Sequence, residues 1–170
     1  MLRKIVKSSI FLALIVLFSG CITGNTEKPV NETGNVKYEQ IPTTGLPSGI
    51  TFMDVHEADI QIGDSVRKGI EGIYRSDIDT DEIYIQVFSS ETPEVLMDEY
   101  KSQYKDANYA PFTEISINGH KATQVKYYGT KNGRQIPKYN LIWATKDSMI
   151  KVGGSVDAQQ VINLAAATNS

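Results

Sequence analysis

The sequence predicts an α+β fold, an antiparallel meander sheet of about six to seven strands with two helices packed on it. Three patterns favour this class. The segment Glu82–Phe88 alternates apolar and polar residues, as a half-buried strand does. Two Asn-Gly dipeptides separate apolar segments, and this dipeptide favours tight hairpins because type I′ turns need a positive φ at both central residues. Two other segments repeat apolar residues at helical spacing behind capping residues.

The predicted domain begins with the strand Ile50–His56. The next segment, Gly63–Ser76, has an apolar spacing that fits both a helix and a strand. Gly69 and Gly72 would each weaken a helix by about 1 kcal/mol relative to alanine. A strand is therefore favoured, paired with Glu82–Phe88 through the acidic turn between them.

The second half of the domain is predicted to contain four successive strands. They are Phe112–Ile117, His120–Tyr128, Ile136–Thr145 and Met149–Val152. The turns that join them are Asn118-Gly119, Asn132-Gly133 and Lys146-Asp147. Strands joined so closely pair with their sequence neighbours, so these four are expected to form an antiparallel meander.

Two helices complete the predicted order β-β-β-α-β-β-β-β-α. Thr92 is expected to cap the first helix, with Pro93 in its first turn. Its sheet-facing residues are Leu96, Tyr100 and Tyr104. Asp157 is expected to cap the second helix, and Gln160 stands three residues later as in a capping box.

The N-terminus has the three-part layout of a secretory signal peptide over residues 1–20. A basic start precedes the apolar run Ile10–Phe18 and two small residues before Cys21, which is the only cysteine. The run is too short for an ordinary transmembrane helix, which needs ~20 apolar residues. The ending resembles the lipobox of prokaryotic lipoproteins. This resemblance implies that Cys21 becomes the new N-terminus and carries acyl chains such as palmitate, which hold the protein to the outer, extracytoplasmic face of the cell membrane. A cleaved signal that leaves a free thiol and an uncleaved anchor are the alternatives.

Residues 21–49 are predicted to be the lipidated cysteine and a flexible tether. Gly, Asn, Thr, Pro and Glu dominate this stretch, and such a composition cannot bury enough apolar surface to form a core. Asn31 begins an Asn-Glu-Thr sequon and is a possible glycosylation site. Residues 50–170 are then expected to form a single extracytoplasmic domain.

The charge balance argues against nucleic acid as a partner. Residues 1–20 hold three of the seventeen basic residues and none of the twenty acidic ones, so the mature chain has fourteen against twenty, a formal net charge of −6.

Charge is also uneven along the chain. Residues 54–99 contain thirteen acidic and three basic residues, whereas residues 101–151 contain nine basic and three acidic ones. This pattern predicts either pairing within the domain or a dipolar surface that orients it towards a charged partner.

One acidic stretch invites a metal. Asp77, Asp79 and Asp81 resemble the opening of an EF-hand calcium loop, but Glu82 and Phe88 stand where that loop needs Gly and a bidentate Glu. A charged hairpin tip is therefore favoured over a weak calcium site. No zinc site, no cofactor and no catalytic residue is predicted from the motifs.

Aromatic residues form the second candidate site. Tyr127, Tyr139 and Trp143 fall at like strand parity and are expected to pack as core beneath a helix. The alternative is a partly open groove between sheet and helix, lined by these residues and Tyr104, that takes a ligand.

From Ile117 onward the chain resembles the C-terminal pattern of uncharacterised envelope lipoproteins of archaea and bacteria. The matching stretches are Ile117–Thr123, Leu141–Ala144 and Met149–Gly154, closed by the helix after Asp157. The resemblance implies a small antiparallel α+β domain at the cell surface and supplies no active site. We therefore expect a non-catalytic binding or interaction module for an envelope protein, polymer or small ligand. The alternatives are a structural or assembly accessory of a membrane complex and an envelope hydrolase with carboxylate chemistry.

Overall fold

The structure, a computed structural model, describes residues 38–78 and 82–169. The predicted signal peptide, the predicted lipidation site Cys21 and the sequon residue Asn31 lie outside these residues, as do Asp79 and Asp81. In the part of the chain that is described, neither helix is long and apolar enough to span a membrane.

The described chain contains seven strands and two α-helices, preceded by a 3-10 turn at Tyr38–Gln40. The strands are β1 (Ile50–Ile62), β2 (Ser65–Ser76), β3 (Glu82–Ser89), β4 (Phe112–Ile117), β5 (His120–Lys131), β6 (Arg134–Ala144) and β7 (Ser148–Ser155). The helices are α1 (Pro93–Ser102), between β3 and β4, and α2 (Ala158–Ala166), after β7. The predicted α+β class, the antiparallel sheet and its two helices are confirmed.

All seven strands form one antiparallel sheet in the order β1-β2-β3-β7-β6-β5-β4. Two meanders, β1 to β3 and β4 to β7, are joined where β3 pairs with β7. Helix α1 makes this possible, because it carries the chain from β3 to the far edge of the sheet. The remaining strands then return by hairpins until β7 lies beside β3.

Both Asn-Gly turns have the predicted backbone. Asn118 and Gly119 have φ of 50° and 84°, and Asn132 and Gly133 have φ of 52° and 73°. Each dipeptide joins strands whose flanking residues pair directly, so both are two-residue hairpin loops. These positive angles are the ones that a type I′ turn requires.

The ambiguous segment is a strand, as favoured, and its glycines have a packing role. Strand β2 covers residues 65–76, and β1 extends to Ile62, six residues beyond the predicted end. A Cβ atom on Gly72 would lie 2.5 Å from Cγ2 of Ile41. Gly72 therefore provides the space in which the N-terminal segment packs on the sheet.

The helices lie on opposite faces of the sheet, and each covers its own core. The α2 face includes Ile70, Ile85, Trp143, Val152, Val161 and Leu164. The α1 face includes Ile62, Phe88, Leu96, Val125, Ile142 and Met149. Neighbouring residues of one strand alternate between these two cores, as the period of two requires.

The cap predicted for α2 is confirmed at Asp157, whereas the cap predicted for α1 at Thr92 and the capping box at Gln160 are wrong. Thr92 makes no side-chain cap hydrogen bond. The Asp157 carboxylate accepts from the backbone N–H of Gln159 at 2.8 Å, as a cap does. Gln160 does not complete a capping box. Its side chain is buried, where it donates to the Ser76 hydroxyl at 2.6 Å and accepts from the Ser155 hydroxyl at 2.9 Å.

The folded domain begins before residue 50, which corrects the predicted end of the tether. Ile41 is buried in the core of the α2 face. The Tyr74 hydroxyl donates to the carbonyl oxygen of Pro42 at 3.0 Å, and Asn169 Nδ2 donates to that of Glu39 at 3.0 Å. Residues 38–49 therefore belong to the domain. The low apolar content of this stretch concealed the one isoleucine that anchors it.

Candidate functional site

Polar and aromatic side chains from five elements and one loop meet on the α1 face, beside the helix. We call this set the tyrosine–lysine cluster. Its members are Tyr84 (β3), Tyr100 (α1), Tyr104 (after α1), Tyr127 (β5), Asn140 (β6) and Lys151 (β7).

A glycine brings two members of the cluster into contact. Gly153 of β7 pairs with Tyr84 on one side and with Asn140 on the other. Because Gly153 has no side chain, the Tyr84 hydroxyl reaches across it and donates to Asn140 Oδ1 at 3.0 Å. A Cβ atom at this position would overlap the Asn140 side chain. The register also shifts between Tyr139 and Asn140, and such bulges re-aim side chains.

The hydrogen bonds of the cluster form a continuous chain. Asn140 accepts from Tyr84 through Oδ1 and donates to the Tyr100 hydroxyl through Nδ2 at 2.5 Å. The Tyr100 and Tyr104 hydroxyls lie 3.1 Å apart, and either hydroxyl can donate to the other. Through Asn140 of β6, the chain therefore links β3 to α1 and to the loop after it.

Lys151 is the buried cation of the cluster. The residue is 8% exposed, and its Nζ lies 4.9 Å from the ring centroid of Tyr84 and 5.2 Å from that of Tyr100. These distances are those of cation–π contacts. Among the described residues, no carboxylate makes a salt bridge with this ammonium. Burial lowers the pKa of Lys151 to about 8, and the charge of Glu71 acts in the opposite direction.

The tyrosines of the cluster remain hydrogen-bond donors over the physiological range. Burial raises the pKa of Tyr84 well above its usual value, and neighbouring Tyr127 and Tyr104 add to the effect. Burial also raises the pKa of Tyr100 well above its usual value. The site therefore offers one cation and neutral hydroxyl groups.

A row of polar residues crosses the sheet beside the cluster. Register aligns His56, Glu71, Gln86 and Lys151 on four neighbouring strands. The Glu71 carboxylate accepts from Gln86 Nε2 through one oxygen, and its other oxygen lies 3.6 Å from His56 Nε2. Gln86 is 6% exposed, and its Oε1 atom has no hydrogen-bond partner among the described residues. At this end of the row, Gln86 Oε1 therefore lacks a donor and the neighbouring Lys151 ammonium lacks a carboxylate partner among the described residues.

The site lies at a boundary of charge. The acidic part of the sequence, residues 54–99, contains strands β1 to β3, and the basic part, residues 101–151, contains β4 to β6 and half of β7. The sheet order keeps these parts on opposite sides of the junction between β3 and β7. Lys151 and Gln86 face each other across that junction.

The four aromatic residues predicted for a groove are divided between the two faces. Tyr104 and Tyr127 belong to the cluster on the α1 face. Trp143 is fully buried in the core of the α2 face, and Tyr139 packs against that core. The two-residue turn of the hairpin pairs Tyr139 with Lys126, so Tyr127 points to the other side. Tyr127 and Tyr139 both have odd residue numbers, yet they lie on opposite faces of the sheet. The length of the turn between their strands, two residues, was the sequence signal that could have shown this.

The calcium candidate is only partly described. Asp77 is exposed, and its backbone N–H donates to the carbonyl oxygen of Gly49 at 2.9 Å. Asp79 and Asp81 lie outside the described residues. Within residues 38–78 and 82–169, no group of three or more His, Cys, Asp or Glu side chains is placed to hold a metal ion.

Residues 78–167 match the family described as a domain of unknown function, DUF4367, and this match covers 90 of the 170 residues. The chain belongs to the DUF4367 family. The DUF4367 match begins just before β3 and ends after α2. It therefore includes all six residues of the tyrosine–lysine cluster, and it leaves out β1 and β2. No curated protein and no solved structure matches the chain.

Of the residues at this site, sequence reasoning predicted only Tyr104 and Tyr127 as candidate ligand contacts. It missed Tyr84, Gln86, Asn140 and Lys151, because alternation assigns each of them to one face of a strand without telling whether a helix covers that face. Tyr100 was predicted only to face the sheet. The string Met149–Gly154 held a usable signal. A lysine between isoleucine and valine, followed by two glycines, indicates a charge inside a packed sheet and a close approach of neighbouring groups.

Proposed function

We propose that the chain is a non-catalytic binding module, held by lipid at Cys21 to the outer face of the cell membrane, whose ligand binds at the tyrosine–lysine cluster. The observation that carries the proposal is the burial of Lys151 without a carboxylate partner among the described residues. A buried charge is costly unless it is paired. Two cation–π contacts offset part of that cost, and an anionic group of a ligand would offset more.

The N-terminal residues of the domain and the cluster lie on different faces of the sheet. Ile41 and Pro42 pack on the α2 face, whereas the cluster lies on the α1 face. The N-terminal residues that are described therefore leave the proposed ligand site uncovered.

The other two functions predicted from the sequence have less support. An assembly accessory would offer an open sheet edge to a partner, and the sheet has two edge strands, β1 and β4. Strand β1 carries Asp54, Glu57 and Asp59 and shifts register between Phe52 and Asp54, and β4 has only six residues and carries Glu114. Charges and bulges are features that protect an edge from pairing. A hydrolase would need convergent buried carboxylates. The carboxylates that flank His56 are instead solvent-accessible, with the Asp54 side chain 67% exposed.

Lipid attachment is tested by intact-mass measurement of the full chain isolated from membranes. We expect residues 1–20 to be absent and the mass to include acyl chains on Cys21. The Cys21→Ser variant should lack the acyl mass. It should then either leave the membrane fraction or retain the uncleaved signal peptide, residues 1–20. Wild-type material that retains residues 1–20 with a bare thiol would refute the anchor.

Ligand binding is tested by thermal shift on the full-length protein in detergent, against a panel of purified envelope components. A ligand present at 100 times its Kd stabilises the native state by about 2.7 kcal/mol, which raises Tm by several degrees. We expect such a shift for the wild-type protein and not for Lys151→Met. Lys126→Met is the matched control, because Lys126 Nζ also lies over a tyrosine ring, 5.3 Å from the centroid of Tyr128. A panel without any effect on the wild-type protein would contradict the proposal.

A further inference from the structure

We propose that the ligand of this site is a hydroxyl-bearing carboxylic acid of the uronic acid type, whose carboxylate pairs with Lys151 and whose hydroxyl group donates to Gln86. This inference rests on the proposed function and assigns the ligand class of the same site. The two groups concerned are the Lys151 ammonium, which lacks an anionic partner among the described residues, and Gln86 Oε1, which lacks a hydrogen-bond donor among them.

The two groups are side by side and are not satisfied by each other. Gln86 and Lys151 are direct partners in the pairing of β3 with β7, which places their side chains on the same face. Both residues are more than nine-tenths buried. Yet Gln86 Oε1 has no hydrogen-bond partner among the described residues, so the ammonium does not donate to it. A third group that accepts from Lys151 and donates to Gln86 would satisfy both.

The charge of the site selects the acceptor. Lys151 is mostly protonated at neutral pH because its pKa is about 8. Its partner should therefore be anionic, and a carboxylate accepts charge-assisted hydrogen bonds from an ammonium. The adjacent carboxylate does not fill this role, since Glu71 is occupied by Gln86 Nε2 on one side and faces His56 on the other.

The donor to Gln86 should be a hydroxyl group. An ammonium would also donate to Oε1, but it would stand beside the Lys151 cation, and like charges at this range repel. A hydroxyl donates without adding charge. This distinguishes a hydroxy acid from an amino acid as the expected ligand.

The rim of the site suits the ring of a sugar acid. Tyr84, Tyr104 and Tyr127 are partly buried, so a part of each side chain reaches the surface beside the pair. The ring of Tyr84 lies against the Lys151 ammonium, and the Glu71 carboxylate accepts from Gln86. Changes of side-chain rotamer are common on binding, and rotation of Glu71 and Tyr84 would give access to the pair.

The test is titration of the full-length protein in detergent with galacturonate and three comparison probes. Galacturonate carries both groups, galactose lacks the carboxylate, acetate lacks the ring and its hydroxyls, and galactosamine lacks the carboxylate and carries an ammonium in place of one hydroxyl. We expect galacturonate to bind at least about tenfold more tightly than each of the others, a difference of about 1.4 kcal/mol. Its binding should also raise the pKa of Lys151, measured by NMR, because an adjacent anion favours the charged form.

Two variants locate the contacts, and their folding is checked by Tm. Lys151→Met should weaken galacturonate at least about tenfold and leave galactose unchanged, and Gln86→Leu should remove the advantage of galacturonate over acetate. Lys126→Met should bind like the wild-type protein. Equal binding of galactose or galactosamine, or galacturonate binding that ignores Lys151→Met, would overturn the inference. If an envelope component binds in a Lys151-dependent way while galacturonate does not, only the ligand class fails. If nothing binds, the proposed function fails with it.

Discussion

We expect Lys151 to make the stability of the protein depend on pH, and replacement by methionine should remove this dependence. The residue is 8% exposed and its ammonium lacks a salt bridge among the described residues. Methionine has a similar length and carries no charge, so it fills the space without the cost of burying a cation. Buried charges replaced by apolar groups of similar volume often leave a protein equally or more stable. We therefore expect Lys151→Met to be at least as stable as the wild-type protein at pH 7.

The size of the pH effect follows from the pKa of Lys151, which burial lowers from 10.5 to about 8. Below pH 8 the lysine is charged in both the folded and the unfolded chain, so the full cost of burial is present. As the pH rises through 8, the folded state loses its proton while the unfolded state keeps it up to about 10.5. The unfolded state then binds more protons, and the free energy of unfolding increases with pH. Between pH 7 and 9.5 the expected gain is about 2 kcal/mol.

The measurement is urea denaturation of wild-type, Lys151→Met and Lys126→Met at pH 7, 8 and 9.5. Buried tyrosines act in the opposite direction at higher pH, because Tyr84 and Tyr100 stay neutral in the folded state and ionise in the unfolded chain from about pH 10. The series therefore stops at 9.5, and the difference between variants isolates the lysine. Wild-type and Lys126→Met should gain stability with pH, and Lys151→Met should not.

Equal pH profiles for wild-type and Lys151→Met would refute this reasoning. They would mean that the Lys151 ammonium is solvated or paired in the folded state and titrates near its usual value. A large loss of stability in Lys151→Met at pH 7 would refute it too, because the cation would then contribute to the fold instead of opposing it.

Two further substitutions test the packing that positions the site. Gly153→Ala should destabilise the fold by about 2 kcal/mol and disrupt the hydrogen bonds of Asn140, because the added Cβ atom overlaps that side chain. Urea denaturation measures this loss of stability. Unchanged stability would mean that the neighbouring strand shifts to make room for the methyl group. Ile41→Ala should cost about 3 kcal/mol because Ile41 is 4% exposed in the core, whereas Thr44→Ala, an exposed control in the same segment, should change stability by less than about 0.5 kcal/mol. Equal urea midpoints for these two variants would mean that residues 38–49 are part of the tether and do not contribute to the folded domain.

Features of the fold that depend on near neighbours could be predicted from the sequence. Asn118-Gly119 and Asn132-Gly133 fix the hairpins because positive φ angles are a local requirement, and alternation fixed the strand Glu82–Phe88. The far half of β1 was missed. Its residues do keep the period of two, because Ala58, Ile60 and Ile62 pack in the core of the α1 face while Glu57, Asp59 and Gln61 are exposed. The alternation was therefore present in the sequence and was overlooked.

The candidate site could not be predicted in the same way, because it depends on a pairing between distant parts of the chain. Strand β3 meets β7 across about sixty residues, and no local pattern marks them as neighbours. Tyr84 and Lys151 each look like an ordinary member of an alternating strand. Only the register places the lysine ammonium over the tyrosine ring and opposite the unpartnered oxygen of Gln86.

The same pairing explains why the site stands at the boundary of charge. The boundary between the acidic and basic parts of the sequence falls within helix α1, which also carries the chain to the far edge of the sheet. The strands of the two parts therefore pair only where β3 meets β7. The residues that meet there come from different meanders, and the site exists only when both are folded and joined. A ligand that contacts Lys151 and Gln86 together therefore stabilises the junction itself. Its binding energy should appear as stability of the whole domain, since the native state alone contains the site.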